Sequence, residues 1–261
     1  MPIFRRTLAD GSDDELIREE PLLIAAGGAE VLTMRTPGRD EDLALGFLLS
    51  EGVIPSAAAV TGMHATPGDP AARTPDRIDV ALTGVDAAHV RGRLTRTHEI
   101  RTSCGACGLT DVDTLLEGAP PCLAGVPKVT HALLQRLRAD FEARQELFAR
   151  TGACHGAALY DGHGTLLGFA EDVGRHNALD KAIGQAARGG AALRRAIALL
   201  SGRAGYDLVL KCLRLGVPVI LSVSAPSALG FDLCHAAGAT LVGFLRQDRA
   251  KVYTGAERIT G

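Results

Sequence analysis

The chain has 261 residues, enough to bury a full core as one large α/β domain or as two smaller ones, and its pattern reads as two unequal parts. With 28 Lys and Arg against 30 Asp and Glu, a net charge of −2 and no basic tract, it lacks the phosphate attraction on which nucleic-acid binding relies. No apolar span reaches about 18 residues and the first ten residues carry no signal-peptide pattern, so a soluble cytoplasmic protein without a membrane partner is expected.

Residues 19–34 alternate apolar and polar side chains around Gly27-Gly28, which predicts a β-hairpin with a glycine turn. A helix follows, with Thr36-Pro37-Gly38 before it, Asp40 as N-cap, a buried stripe of Leu43, Phe47 and Leu48, and a stop at Gly52. Residues 61–76 gather Pro, Gly, Asp and Ala and read as a surface loop, and 78–82 as a short strand. An Arg- and His-rich stretch, 91–101, then leads into a double-cysteine loop. Residues 118–127, with three prolines, read as the passage between units, dividing a 1–127 α+β unit from a 128–261 unit.

Thr130 is placed to cap a long helix whose apolar positions Leu134, Leu137, Phe141 and Phe148 recur at steps of three, four and seven, ended by Gly152. From 156 the pattern becomes strand (157–160), turn (161–164), strand (165–170) and a helix through Ala178, Leu179 and Ile183. Residues 193–200 read as helical or buried. Then come a helix over 206–215, a strand over 217–223, a helix over 227–237 and a strand over 240–245. Such alternation points to a partly parallel sheet covered by helices.

The six cysteines meet a reducing compartment, where close pairs are more often catalytic or metal-binding than disulfide-forming. In Thr102-Ser103-Cys104-Gly105-Ala106-Cys107-Gly108 the glycines let backbone N–H groups approach sulfur, and Arg101 and His98 are cations near in sequence. These conditions favour a thiolate, and a thiol three residues away can resolve a persulfide by disulfide formation. Half of a zinc site and a thioredoxin-like redox pair are the competing readings. The remaining cysteines, Cys122, Cys154, Cys212 and Cys234, are scattered singly, which weakens zinc, and Cys212 and Cys234 sit in apolar helical patterns as small hydrophobes.

Other polar residues collect where strands meet helices, the place where open α/β sheets hold ligands. Residues 171–181, EDVGRHNALDK, concentrate ionisable groups including His176, with a plain helix start and a His176–Asp180 pair as the competing reading. His155 could face the same crevice, with a satisfied structural histidine before a strand as the competing reading. Ser201-Gly202-Arg203 and the segment holding Ser224 both precede helices and suit phosphate oxygens. Phe244-Leu245-Arg246-Gln247-Asp248-Arg249 closes the last predicted strand; its arginines read either as solvated charges on an edge strand or as a site in which Arg246 and Arg249 would clamp a pyrophosphate.

Together TSCGACG, EDVGRHNALDK, SGRAGYDLVLKC, VSAPSALG, the Glu20-Pro21-Leu22 and Thr36 to Gly52 stretches and Tyr253 resemble the FdhD family of formate dehydrogenase accessory sulfurtransferases over nearly the whole chain. The resemblance implies a carrier that accepts sulfane sulfur from a cysteine desulfurase. It would pass that sulfur to the bis(molybdopterin guanine dinucleotide) molybdenum cofactor destined for formate dehydrogenase. It matches the persulfide cysteine to Cys104, its companion to Cys107, and the cofactor-binding segment to 244–249; Ser201, Arg203, Ser224 and His176 complete our expected cofactor site. Asp248 departs from the small residue common in the family. The implied architecture is α/β, α+β overall: a small N-terminal α+β unit plus a larger cytidine-deaminase-like three-layer α/β/α domain without the deaminase zinc motif. No tightly bound metal is expected, and a homodimer is, because the cofactor has two dinucleotide arms. The alternative is a cofactor-binding chaperone of formate dehydrogenase with no sulfur chemistry.

Overall fold

In the computed structural model, which describes residues 2–69, 71–102, 111–247 and 249–261, two main sheets organise the chain. An N-terminal hairpin of β1 (Ile3–Thr7) and β2 (Asp13–Ile17), not foreseen from sequence, precedes them. β3 (Glu20–Ala26) and β4 (Ala29–Arg35) form the expected hairpin, with Gly27 and Gly28 at φ 55° and 79°. Gly27 has a second constraint, since a Cβ there would stand 2.8 Å from Val90 Cγ1. With β5 (Val60–Thr66) and β6 (Asp76–Leu82) these strands make a sheet of order β4-β3-β6-β5, β3 and β6 running parallel. The loop read over 61–76 therefore begins only after Thr66. Val60 and Met63 pack on the core and draw residues 61–66 into β5.

α1 (Asp40–Ser50) is buried along most of its length. Its N-cap is Arg39, in the left-handed region at φ 60°, rather than Asp40, whose carboxylate instead accepts Arg35 Nε and Nη2 at 2.9 Å each. α2 (Ala87–Thr102) occupies the Arg- and His-rich stretch; two buried anchors, Val90 and Leu94, hold a helix too polar to show in the apolar pattern. A short α3 (Val112–Leu115) follows.

β7 (Val129–Thr130) leads into α4 (His131–Ala143), where Thr130 Oγ1 accepts the Leu133 N–H at 3.0 Å as the sequence suggested. The long helix breaks at Arg144 and Gln145 before α5 (Glu146–Thr151), and the break changes the helical phase: Leu134, Leu137 and Phe141 are buried, whereas Phe148 is 48% exposed. Then come β8 (His155–Tyr160), β9 (Leu166–Asp172), α6 (Arg175–Arg188), β10 (Ile197–Leu200), α7 (Tyr206–Arg214), β11 (Val219–Ser222), α8 (Ala228–Ala236), β12 (Thr240–Gly243), β13 (Lys251–Thr254) and β14 (Ile259–Thr260). The 193–200 segment is thus a strand at its end, its four residues buried on both sides of the sheet.

The second sheet has order β13-β12-β11-β10-β8-β9, with β10, β11 and β12 parallel and the outer pairs antiparallel. Alternation of side chains splits its core in two. Ala157, Leu159, Ala198, Leu200, Ile220 and Leu241 meet α6, α7 and α8, whereas Ala158, Tyr160, Leu199, Val219, Leu221 and Val242 meet Leu134, Leu137 and Phe141 of α4. The unit is therefore a three-layer α/β/α arrangement and the whole chain α+β. The first of these cores continues through α1 into Leu22, Ile24 and Ile78 of the four-stranded sheet, so residues on both sides of position 127 share it.

α1 and α6 cross in close contact. A Cβ on Gly46 would lie 1.7 Å from the Asp180 carbonyl oxygen, and one on Gly184 1.9 Å from that of Asp42. Glycine at these two positions is what lets the backbones meet.

Candidate functional site

The charged segment 171–181 divides into two groups. Asp172, Asp180 and Lys181 are buried and face the α1 side. Lys181 Nζ sits 2.7 Å from Asp172 Oδ2 and donates to the Thr36 carbonyl at 2.7 Å, while the Thr36 N–H donates to the same carboxylate at 3.1 Å. Burial pushes the Lys181 ammonium below its ordinary pKa, with Asp172 opposing that shift. Asp180 holds Lys211 Nζ at 2.9 Å through both oxygens and takes the Ser50 hydroxyl at 2.7 Å; Glu51 adds a 2.7 Å pair to Lys211. Asp180 consequently does not pair with His176, as the helical spacing alone had suggested. These groups seal a seam between helices and are not a ligand site.

His176, by contrast, stands at the outer start of α6. The parallel strands β10, β11 and β12 end at the same edge of the sheet, beside the start of β8, so topology gathers His155, Ser201, Arg203, Ser224 and the 244–249 segment there. The edge is internally braced. The Gly156 N–H donates to Ser201 Oγ at 2.9 Å, the Ser222 hydroxyl donates to the Gly202 carbonyl at 2.7 Å, and the Ser224 N–H donates to Ser222 Oγ at 3.0 Å. The Phe244 and Leu245 N–H groups donate to the Ser224 and Ser222 carbonyls at 3.0 Å each, and Arg246 N–H to the Arg249 carbonyl at 2.8 Å.

This bracing turns Phe244, at a left-handed φ of 50°, toward solvent and Leu245 into the core. Of the expected cofactor segment, then, Leu245 is fully buried and offers no side chain to a ligand, while Arg246, Gln247 and Arg249 are exposed and Asp248 lies outside the described residues. Phe244, Arg249, Ala250 and Lys251 line a cavity of about 310 Å³. Lys251 was missed in the sequence, where it reads as an ordinary edge-strand charge. Among the described residues, Arg203, Arg246 and Arg249 have no carboxylate partner.

The helix starts are less open to phosphate than their sequences suggested. α8 is already capped by Ser227, whose Oγ accepts the Gly230 N–H at 3.1 Å, and Ser224 sits back in the loop. α7 carries Asp207 in its first turn, hydrogen-bonded to His176 Nε2 and 3.3 Å from Arg175 Nη2. Asp207 was not singled out in the sequence; an acid in the first turn of a helix looks like routine complement to the positive helix end.

Cys104 and Cys107 lie outside the described residues. The described residues on either side of them are Thr102, the end of α2, and Asp111. Every described cysteine is unsuited to attack. Burial pushes the thiol pKa of Cys154 and of Cys212 up to about 12 and raises those of Cys122 and Cys234 as well. Among the described residues no group of three or more His, Cys, Asp or Glu is arranged to hold a metal ion, and no helix is long and apolar enough to cross a membrane.

Comparison with known proteins agrees with this architecture. A model of the FdhD/NarQ family matches residues 17–260. A sulfur carrier protein FdhD from Anaeromyxobacter dehalogenans is 43% identical over 94% of this chain and 88% of its own length. One of the same description from Mycolicibacterium paratuberculosis is 41% identical over 94% and 92%. The crystal structure of a protein described as a formate dehydrogenase accessory protein, from Desulfotalea psychrophila, superposes with a TM-score of 0.74 at 28% identity, covering 99% of this chain and 97% of that one. With a family model and relatives that span nearly its full length, this chain belongs to the FdhD/NarQ family.

Proposed function

We propose that the chain is a cytoplasmic sulfurtransferase that carries sulfane sulfur from a cysteine desulfurase, as a persulfide on Cys104, to the bis(molybdopterin guanine dinucleotide) molybdenum cofactor required by formate dehydrogenase. The cofactor is substrate here. The observation that carries the reading is the sorting of the thiols: the four described cysteines have thiol pKa values raised by burial, which leaves Cys104 and Cys107 as the pair for sulfur chemistry in a chain whose relatives are described as sulfur carriers.

Cys104 thiolate attacks the outer sulfur of the donor persulfide, and the donor cysteine leaves as a thiolate. Cys107 then attacks Cys104 Sγ, forming a Cys104–Cys107 disulfide and releasing hydrosulfide, which takes both electrons of the broken S–S bond; a thiol reductant resets the pair. In this reading the exposed cations of the sheet edge, Arg203, Arg246, Arg249 and Lys251, would meet the cofactor's phosphates, with Phe244 as an exposed ring beside them.

Intact-mass analysis after incubation with a cysteine desulfurase and cysteine tests the assignment. The expected result is a gain of one sulfur that reductant removes and Cys104→Ala abolishes. A wild-type protein that gains none is not a persulfide carrier, and a Cys104→Ala variant that still supports formate dehydrogenase leaves a cofactor chaperone in its place.

A further inference from the structure

His155 and His176 stand at one end of the strand edge and face opposite charges. His176 Nε2 is bonded to Asp207, whose carboxylate also takes Arg175 Nη2 at 3.3 Å and the Leu208 N–H at 2.9 Å. Burial works against ionising Asp207, but the His176 hydrogen bond and charge, the Leu208 N–H and Arg175 outweigh it and hold the carboxyl well below the usual carboxylate range. His155 has the reverse surroundings: burial, Arg175 and His176 all push its imidazole below the ordinary value. Nearby acids on β9 are occupied elsewhere. Asp172 faces Lys181, and Glu171 accepts the Leu147 and Phe148 N–H groups of α5 at 2.8 Å each. Among the described residues, then, the charges acting on the two imidazoles are Asp207 from α7 and Arg175 from α6, while Glu142 of α4 and the Cys154 thiol share the cavity that His155 borders.

Both rings reach open space. His176 is 30% exposed, and His155 borders a cavity of about 820 Å³ with Ser201, Val223 and Phe148. An acid in contact with His176 and Arg175 makes this end of the edge a poor anion clamp. A partly buried imidazole held against a carboxylate, beside a second imidazole with none, is instead how like groups are sorted for proton transfer.

We propose that His176 is the proton donor in sulfur delivery and Asp207 its positioning residue. The proposal rests on the sulfur-carrier reading and follows from its stoichiometry. Replacing an oxygen ligand of the molybdenum substrate by sulfur, Mo=O + HS⁻ + H⁺ → Mo=S + H₂O, moves no electrons. The Mo–O bond breaks and the Mo–S bond forms, and oxygen leaves as water with the hydrosulfide proton and one more. His176 supplies that second proton and regains it from solvent; Asp207 fixes the ring and remains ionised throughout.

The test uses the full chain loaded with persulfide by desulfurase and cysteine, and follows single-turnover appearance of cyanide-labile sulfur on the cofactor between about pH 5.5 and 8.5, a window that brackets an ordinary histidine. In His176→Gln the amide keeps the bond to Asp207 but has no proton to give, so the fold and the persulfide mass gain are retained while transfer slows by at least about 100-fold. Asp207→Asn loses about tenfold in transfer and changes its pH profile while the persulfide mass gain is unchanged. Normal loading of His176→Gln together with transfer at the wild-type rate and pH profile overturns the dyad and leaves the carrier intact. Failure of the wild type to load overturns the carrier reading and this one with it.

Discussion

The α1–α6 seam and the strand edge draw on the same eleven-residue segment and use it in opposite ways. Asn177, Asp180 and Lys181 lie on the side of α6 that meets β4 and α1, where each polar group has a partner: Asp172 for Lys181, Lys211 for Asp180, and the Met34 carbonyl for Asn177 Nδ2 at 2.6 Å. Arg175 and His176, at the start of the same helix, turn to the edge, where among the described residues they share one carboxylate. Density of charge in a sequence therefore says little about function. Helical phase decides which charges brace the core and which remain open to a ligand.

The largest expected effect comes from breaking the seam. In Asp172→Ala, Lys181 loses its carboxylate at a fully buried position, and the Thr36 and Gly174 N–H groups lose their acceptor. The expected loss is about 3–5 kcal/mol, read as a lower urea midpoint at unchanged slope. A slope that changes instead would mean that the two sheets separate before the rest unfolds. Gly46→Ala follows. Its methyl meets the Asp180 carbonyl, backbone that cannot rotate away, so the helices must part at a cost toward the upper end of about 1–3 kcal/mol.

A third variant separates seam-like pairing from pH. Asp76 is held below its usual pKa chiefly by the Gly68 N–H, with burial opposing and Arg35 adding to the shift. A carboxyl lowered in the folded state stabilises above the unfolded value near 3.8, and that contribution disappears as pH falls through the folded value. Asp76→Asn should accordingly be less stable than wild type at pH 7, with the two stability curves converging in acid. Parallel curves down to pH 2 would show that Asp76 acts through packing alone.

Much of this architecture was legible because it rests on local signals: the Gly27-Gly28 turn, the Thr130 cap, and the β and α alternation from 156 onward. The failures are equally physical. α2 was hidden because two apolar anchors, Val90 and Leu94, hold it against β4, and the end of 193–200 was ambiguous because a strand buried on both faces has no polar alternation to display. Of the edge, the exposed arginines were readable. Leu245 was not, since a single left-handed residue, Phe244, reverses which neighbour faces out. Asp207 could be assigned only when α6 and α7 were seen side by side, a juxtaposition across 31 residues that no spacing rule contains.

The smallest stability effect, and the sharpest test of the contrast, belongs to the edge. Arg203 and Arg246 are exposed and among the described residues have no acid to lose, so Arg203→Ala and Arg246→Ala should stay within about 0.5 kcal/mol of wild type in unfolding. Binding should respond where stability does not. Guanosine diphosphate, which carries the pyrophosphate and base of one arm of the proposed cofactor substrate, should bind each variant more weakly by isothermal titration calorimetry, and added salt should narrow the difference, because exposed charges are screened over about 10 Å at 0.1 M. Removing a bidentate arginine from a phosphate costs more than removing a point charge, so Arg246→Lys should recover only part of the loss. Unchanged affinity in both variants would leave these arginines as solvated charges and move the cofactor off this edge, while reduced stability would mean that the edge, like the seam, is held together by its charges.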